Sequence, residues 1–289
     1  MKTILYEPNQ PIALATKHGK ERAISRPLQA GLGFRIVVPE NLDTDILGTF
    51  SGEIERSGNP REVVLAKARL GMKETGLVLG LANEGSFGPH PSSFFVPADY
   101  ELMVFVDDAS GFQVFEQILT TETNFAHAKI SSFDELADFL TRVEFPSHGV
   151  IARPNSVSDG REYQIIYKGL QSPEAVRQAF KSCLEVSDDR LVHVETDMRA
   201  HFNPKRMRVI RRLAVKLARR LKTECPSCQT PGFGIVDRKL GLRCEICNLP
   251  TQLAYAEIHA CPKCSFQKEF PLPNAPQKAE ARFCQFCNP

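Results

Sequence analysis

The chain has 289 residues, 42% of them hydrophobic, and 36 basic against 34 acidic side chains leave a net charge of +2. No run of 18 apolar residues is present, which predicts no transmembrane helix. The first residues lack the apolar core of a secretion signal, so a cytoplasmic protein without membrane contact is expected.

Taken in order, Ile12 to Ala15 is a short apolar run of buried-strand type. The turn Thr16-Lys17-His18-Gly19-Lys20 follows, and a helix is expected from Glu21 until Pro27 disrupts it. Phe34 to Val38 reads as a second strand. Asn59-Pro60 supplies an N-cap and a first-turn proline for a helix closing near Gly71. Leu77 to Ala82 is a strand that runs into a Gly- and Pro-rich loop from Asn83 to Pro91. Leu102 to Val106 and Phe112 to Leu119 predict a hairpin.

Ser132-Phe133-Asp134-Glu135 is a capping box that starts a helix to about Arg142. Val150 to Ala152 and Tyr163 to Tyr167 are short strands. Ser172-Pro173 opens a helix to about Val186, and Leu191 to Thr196 is the last strand. Strands alternating with helices predict an α/β domain over residues 1–202, a mixed sheet with flanking helices.

Residues 204–222 hold nine Lys or Arg and no acid, so the rest of the chain sums to −7. Asn203-Pro204 caps a helix to about Leu221, with Met207, Ile210, Ala214, Leu217 and Leu221 as its apolar stripe. Arg208, Arg211, Arg212, Lys216, Arg219 and Arg220 fill much of the remainder. Solvated helices usually mix both signs. A face without acids points to an acidic surface elsewhere in the chain or to a phosphate backbone. This connecting helix, residues 203–222, leads into a C-terminal module.

That module, residues 223–289, carries eight of the nine cysteines as four Cys-x-x-Cys pairs: Cys225/Cys228, Cys244/Cys247, Cys261/Cys264 and Cys284/Cys287. Two such pairs complete one tetrahedral thiolate shell, so two structural zinc ions in a zinc-ribbon-like module are expected. A reducing compartment favours metal over disulfides. Spacing leaves sequential and crossed pairing open; sequential pairing is preferred, because each intervening stretch has room for a hairpin. His259 lies outside the shells, and Cys183 reads as a small buried apolar residue. Basic and aromatic residues of the module suit a nucleic-acid or a protein partner alike.

Two clusters carry candidate chemistry. Lys17, His18 and Lys20 occupy a strand-to-helix turn, where backbone amides and lysines favour phosphate. Glu53 and Glu55 lie in a loop or strand edge, Lys67 on the helix from Pro60, and Glu84 just after a strand, where open α/β sheets bind ligands. Lysines for phosphates and carboxylates for Mg2+ are the parts needed to attack a triphosphate. In the second cluster, strand alternation places His193, Glu195 and Asp197 on one face, with Arg199 and His201 close in sequence. Such a set suits a divalent ion or acid–base work, or merely caps the basic helix, with Glu195 or Asp197 paired to Arg206 or Arg208.

Ala15 to Lys20, the Asn59 to Ala68 helix ending Ala66-Lys67-Ala68, and Ala82-Asn83-Glu84-Gly85-Ser86 resemble three motifs of the inosine triphosphate pyrophosphatase family. The resemblance implies Lys20 and Lys67 as phosphate contacts, with Glu55 and Glu84 as catalytic metal or base residues. A second resemblance spans nearly the whole chain. Glu195-Thr196-Asp197-Met198-Arg199-Ala200-His201, then Asn203-Pro204 and Arg206-Met207, with the opening Cys225-Pro226 knuckle and the final Cys287-Asn288-Pro289, look like signatures of an uncharacterised bacterial family. That family joins an α/β domain to a cysteine-rich tail, and no activity comes with it. The expectation is a Mg2+-dependent nucleotide phosphohydrolase with a structural zinc module. The alternative is a non-enzymatic nucleic-acid- or protein-binding factor.

Overall fold

The computed structural model describes residues 6–40, 42, 59–158 and 165–288. A first sheet is built from β1 (Pro11–Ala15), β2 (Arg35–Val37), β3 (Leu79–His90), β4 (Ser93–Asp107) and β5 (Phe112–Thr120), in the order β2-β1-β3-β4-β5. β1 runs parallel to β2 and β3, whereas β3, β4 and β5 form an antiparallel meander, so the sheet is mixed. Helices α1 (Glu21–Leu32) and α5 (Pro204–Leu221) cover one face, packing Ile24, Leu28, Leu213 and Leu217 with Ile12, Leu14, Leu81 and Phe105. Helix α2 (Pro60–Thr75) covers the other face, where Val64, Ala68 and Met72 pack with Ala13, Ala82 and Val104. Successive β4 residues enter opposite cores, which is why Leu102 to Val106 reads as an unbroken apolar run.

A second sheet holds β6 (His127–Ile130), β7 (Val150–Pro154), β8 (Tyr167–Leu170) and β9 (Val192–Thr196), antiparallel throughout in the order β6-β9-β7-β8. Helices α3 (Phe133–Arg142) and α4 (Pro173–Val186) bury Leu136, Phe139, Val176 and Phe180 against one of its faces. Cys183 is fully buried in this core. The body is therefore α/β with a mixed sheet, but its strands divide between two sheets with separate cores. The sheets are tied by the cap of α5. Asn203 accepts from the Arg206 amide at 3.0 Å and donates to Asn124 at 2.8 Å, and Asn124 donates to the Val143 carbonyl at 3.0 Å.

Several local expectations are corrected. α1 continues through Pro27 to Leu32 and stops at Gly33, whose φ is 74°. Burial of Ala23, Ile24 and Leu28 outweighs the one hydrogen bond that proline removes. α2 passes Gly71, which faces Ala15 so closely that an added Cβ would lie 3.1 Å from the Ala15 side chain; the helix ends at Gly76 instead. The segment after Ala82 is no loop, since β3 stays paired with β4 as far as His90. The strand expected at Tyr163 to Tyr167 begins at Tyr167, and residues 159–164 lie outside the described set.

The tail forms a meander of β10 (Gly234–Leu240), β11 (Ala254–Ala260) and β12 (Gln267–Pro271). Arg220 fastens it to the body, donating to the carbonyls of Gly232, Ile235 and Phe115 and to Glu116, at 3.0–3.1 Å. Among the described residues no helix is long and apolar enough to cross a membrane.

Candidate functional site

The eight tail cysteines gather into two groups of four, Cys225/Cys228/Cys261/Cys264 and Cys244/Cys247/Cys284/Cys287. Pairing is crossed, not sequential. The first knuckle precedes β10 and the third joins β11 to β12, so both lie at one end of the meander; the second and fourth lie at the other. Sequential knuckles are separated by the seven-residue β10, roughly 20 Å of strand. Antiparallel strands thus bring alternate knuckles together, a consequence that spacing cannot reveal.

The geometry suits a metal ion. Within the first group Cys225–Cys264 and Cys228–Cys261 sulfurs are 3.7 and 3.6 Å apart, and within the second Cys244–Cys287 and Cys247–Cys284 are 3.9 and 3.5 Å apart. A tetrahedron with zinc–sulfur bonds of about 2.3 Å has edges of about 3.8 Å. The amides of Lys263 and Cys264 both donate to the Cys261 sulfur at 3.3 Å, the backbone support that a thiolate ligand needs. His259 belongs to neither group.

A second site lies at the carboxyl edge of the parallel strands β1 and β3. The turn after β1 delivers Lys20 to the start of α1, where it is buried and donates to the Asn83 carbonyl at 2.8 Å. Lys67, from α2, pairs with Glu84 on β3 at 2.6 Å, both buried. On the opposite face, Arg206 reaches from α5 to Glu101 on β4, Nε to Oε1 at 2.6 Å, and to the Met198 carbonyl at 2.5 Å. Asn83 donates to the other Glu101 oxygen at 2.8 Å. Gly85 makes room for this, because a Cβ there would sit 2.5 Å from the Arg206 guanidinium and 2.6 Å from Glu101.

Beside these groups a cleft of about 220 Å³ is lined by Pro60, Val63, Glu84, Ser86 and Tyr100, among others. Burial, with the neighbouring Arg206 charge, pushes the Lys20 ammonium down to about 8. Burial, reinforced by Glu101, pushes the Asp99 carboxyl up to about 8, and neither Asp99 oxygen has a hydrogen-bond partner among the described residues.

The Asp99 shift has a stability consequence. The folded-state value lies above the ordinary carboxylate value near 4. Its stabilising contribution is therefore complete below pH 4 and is lost as pH rises through 8. Asp99→Asn should raise stability at pH 9 by about 2 kcal/mol or more and by markedly less at pH 5. Urea unfolding at the two pH values reads this directly; an equal effect at both would show that Asp99 is not held protonated.

Of the sequence candidates, Lys20, Lys67 and Glu84 converge at this edge. Lys17 is exposed in the turn, and Glu53 and Glu55 lie outside the described residues. The second cluster divides. β9 ends at Thr196, and Asp197 turns inward, fully buried, to pair with Arg199 at 2.5 Å and accept from the Gly169 amide at 3.0 Å. It therefore does not share a face with His193 and Glu195, and its partner is not Arg206 or Arg208. His201 stacks on His18 at 5.2 Å, which brings the end of this segment beside the first cluster. His193 and Glu195 stay together at 3.2 Å on the second sheet, joined by His127, which stacks on His193 at 5.7 Å.

Nothing in the sequence analysis singled out Asp99 or Glu101. The available signal was two acids spaced by two residues at the head of an otherwise apolar strand, Asp99 to Asp107. The acid-free helix finds its partners within the chain: Arg206 with Glu101, Arg212 with Glu122, and Lys216 and Arg220 with Glu116.

Residues 67–289 match the model of a family described as a domain of unknown function. A search of curated proteins finds no match.

Proposed function

The chain belongs to the DUF6671 family, and from that premise we propose that it is a Mg2+-assisted phosphohydrolase acting on a nucleotide, with a tail organised by two zinc ions. The observation that carries the reading is the convergence of buried Lys20, Lys67 and Glu84 beside a cleft at the carboxyl edge of two parallel strands. Ligands of open α/β sheets favour that edge. Lysine ammoniums buried there are costly unless an anion answers them. Lys67 is answered by Glu84. A phosphate in the cleft would take over Lys67 and Lys20 and leave the Glu84 carboxylate for a metal.

Mg2+ is usually held by one or two carboxylates together with phosphate oxygens and water. Glu84 fits that pattern; among the described residues only the cysteines form a preformed group of three or more ligands. The ion would supply charge neutralisation on the phosphates. Lys20 and Lys67 would orient the phosphate chain, and Ser86 and Tyr100 offer hydroxyls along the cleft.

Incubating the purified protein with canonical and deaminated nucleoside triphosphates and Mg2+ should release pyrophosphate from at least one. Lys20→Ala and Glu84→Ala should each lower the rate about a hundredfold or more. No release from any triphosphate, or release unaffected by both substitutions, disposes of the reading.

A binding role for the tail has its own support. Ile246, Phe283 and Phe286 are exposed around the second cysteine group, a surface suited to a protein partner. The basic helix supports nucleic-acid binding less well, because much of its charge is answered internally.

A further inference from the structure

A second cleft, of about 490 Å³, opens between the β3–β4 hairpin and the chain leading into β6. Its walls are rings and prolines: Pro89, Phe94, Phe95 and Pro97 from the hairpin, and Phe125 and His127 from the other side. Phe94 and Phe95 are 80% and 99% exposed, an arrangement that water opposes and that no packing within the described residues relieves. Arg142, at the end of α3, supplies a cation, and among the described residues none that lines the cleft is acidic. Aromatic faces beside a cation fit a flat ring joined to an anionic group.

The rings continue out of the cleft. Phe87 meets Phe125 at 5.9 Å, Phe125 meets His127 at 6.2 Å, and His127 stacks on His193 at 5.7 Å with only 14° between planes. Lys129 and Arg153 stand opposite His193 on the neighbouring strands, and Glu195, 3.2 Å from His193, lies on the same face of the second sheet, the one away from α3 and α4, so the ring row carries two cations and a carboxylate. An antiparallel sheet face with helices behind it, rings on it and a lysine and an arginine beside them is a surface on which bases can stack while phosphates are neutralised.

We propose that this cleft and the ring row beyond it bind the base and phosphate of a nucleotide unit, in its extended form a single-stranded nucleic acid. The site is distinct from the lysine cleft at Glu84 and stands whether or not that cleft hydrolyses anything. Sequence tolerance is expected, because every base offers a stacking face.

The test uses the full-length, zinc-loaded chain. Anisotropy of labelled ten-nucleotide uridine and thymidine oligomers measures binding, with unlabelled UMP and TMP as competitors. Binding at low salt is expected, weakened at least about tenfold by the pair Phe94→Ala and Phe95→Ala. Both side chains project into solvent, so the thermal melt should not move. Arg142→Ala should lower the slope of log affinity against log salt by about one. Lys20→Ala should leave oligomer binding intact, which separates this site from the phosphohydrolase reading. Competition by UMP and TMP at concentrations comparable to the oligomers would assign the cleft to free nucleotides, and much weaker competition to a strand; either outcome supports the shared chemistry. Binding unchanged in the double variant, or no binding by any of the four probes, overturns the proposal. So does self-association that the double variant abolishes while oligomer affinity stays the same, since the hairpin would then be a protein contact.

Discussion

Stripping metal with a chelator is expected to unfold residues 223–289 while the two helix-covered sheets remain folded. The tail has little else to hold it. Six of the seven β10 residues are exposed, and β12 is nearly as bare. Thiolate coordination of structural zinc contributes about 10–16 kcal/mol per ion in small modules at neutral pH, far more than this meander gains from burial. Metal analysis should find two zinc ions per chain. Cys225→Ser and Cys261→Ser should each lose one ion, and combining them should still lose only one. Cys225→Ser with Cys244→Ser should lose both. If the first combination emptied both shells and the second left one filled, the crossed arrangement would be wrong. Near-zero zinc in protein purified without chelator would remove the metal altogether.

The second large effect is expected at Arg206. Its guanidinium is fully buried, bonded to Glu101 and to the Met198 carbonyl, and lies 5.0 Å over the Phe87 ring. Breaking such a pair from one side strands the remaining charge, at a cost of about 3–5 kcal/mol. Arg206→Met should lower unfolding stability by that amount. The double change Arg206→Met with Glu101→Leu should recover most of it, because an apolar pair of similar volume tolerates the site. Urea midpoints of the two single variants and the double variant measure the coupling. Additive losses would mean that the two residues do not answer each other. A substitution at exposed Arg208 on the same helix should move the midpoint by less than about 0.5 kcal/mol.

The contrast between Arg206 and Arg208 shows where sequence reading stops. Both belong to the same acid-free run, and charge count alone offers both the same choice of solvent, an acidic surface elsewhere in the chain or a phosphate backbone. Which arginine turns inward depends on the rotation of α5 against β4, and on Gly85 leaving space where any side chain would collide with the ion pair. Lys20 and Lys67 are more than forty residues apart in sequence, yet both approach β3 because α1 and α2 cover opposite faces of one sheet. Residue type and turn position made them candidates; only the strand order β1-β3 made them neighbours. His193 and Asp197 went the other way. Alternation placed them together, but β9 ends one residue before Asp197, and the Arg199 guanidinium draws that carboxylate inward.

What the amino-acid order determined by itself was local. Capping residues bounded α3, α4 and α5, apolar runs marked the buried strands, and eight paired cysteines announced two four-thiolate groups, because each of these signals acts within a few residues of chain. The tertiary structure decided the partition into two sheets, the convergence of lysines with carboxylates at one sheet edge, and the crossing of the cysteine pairs. Each of those depends on which ends of which strands lie side by side, and antiparallel return carries alternate turns to the same end whatever their spacing.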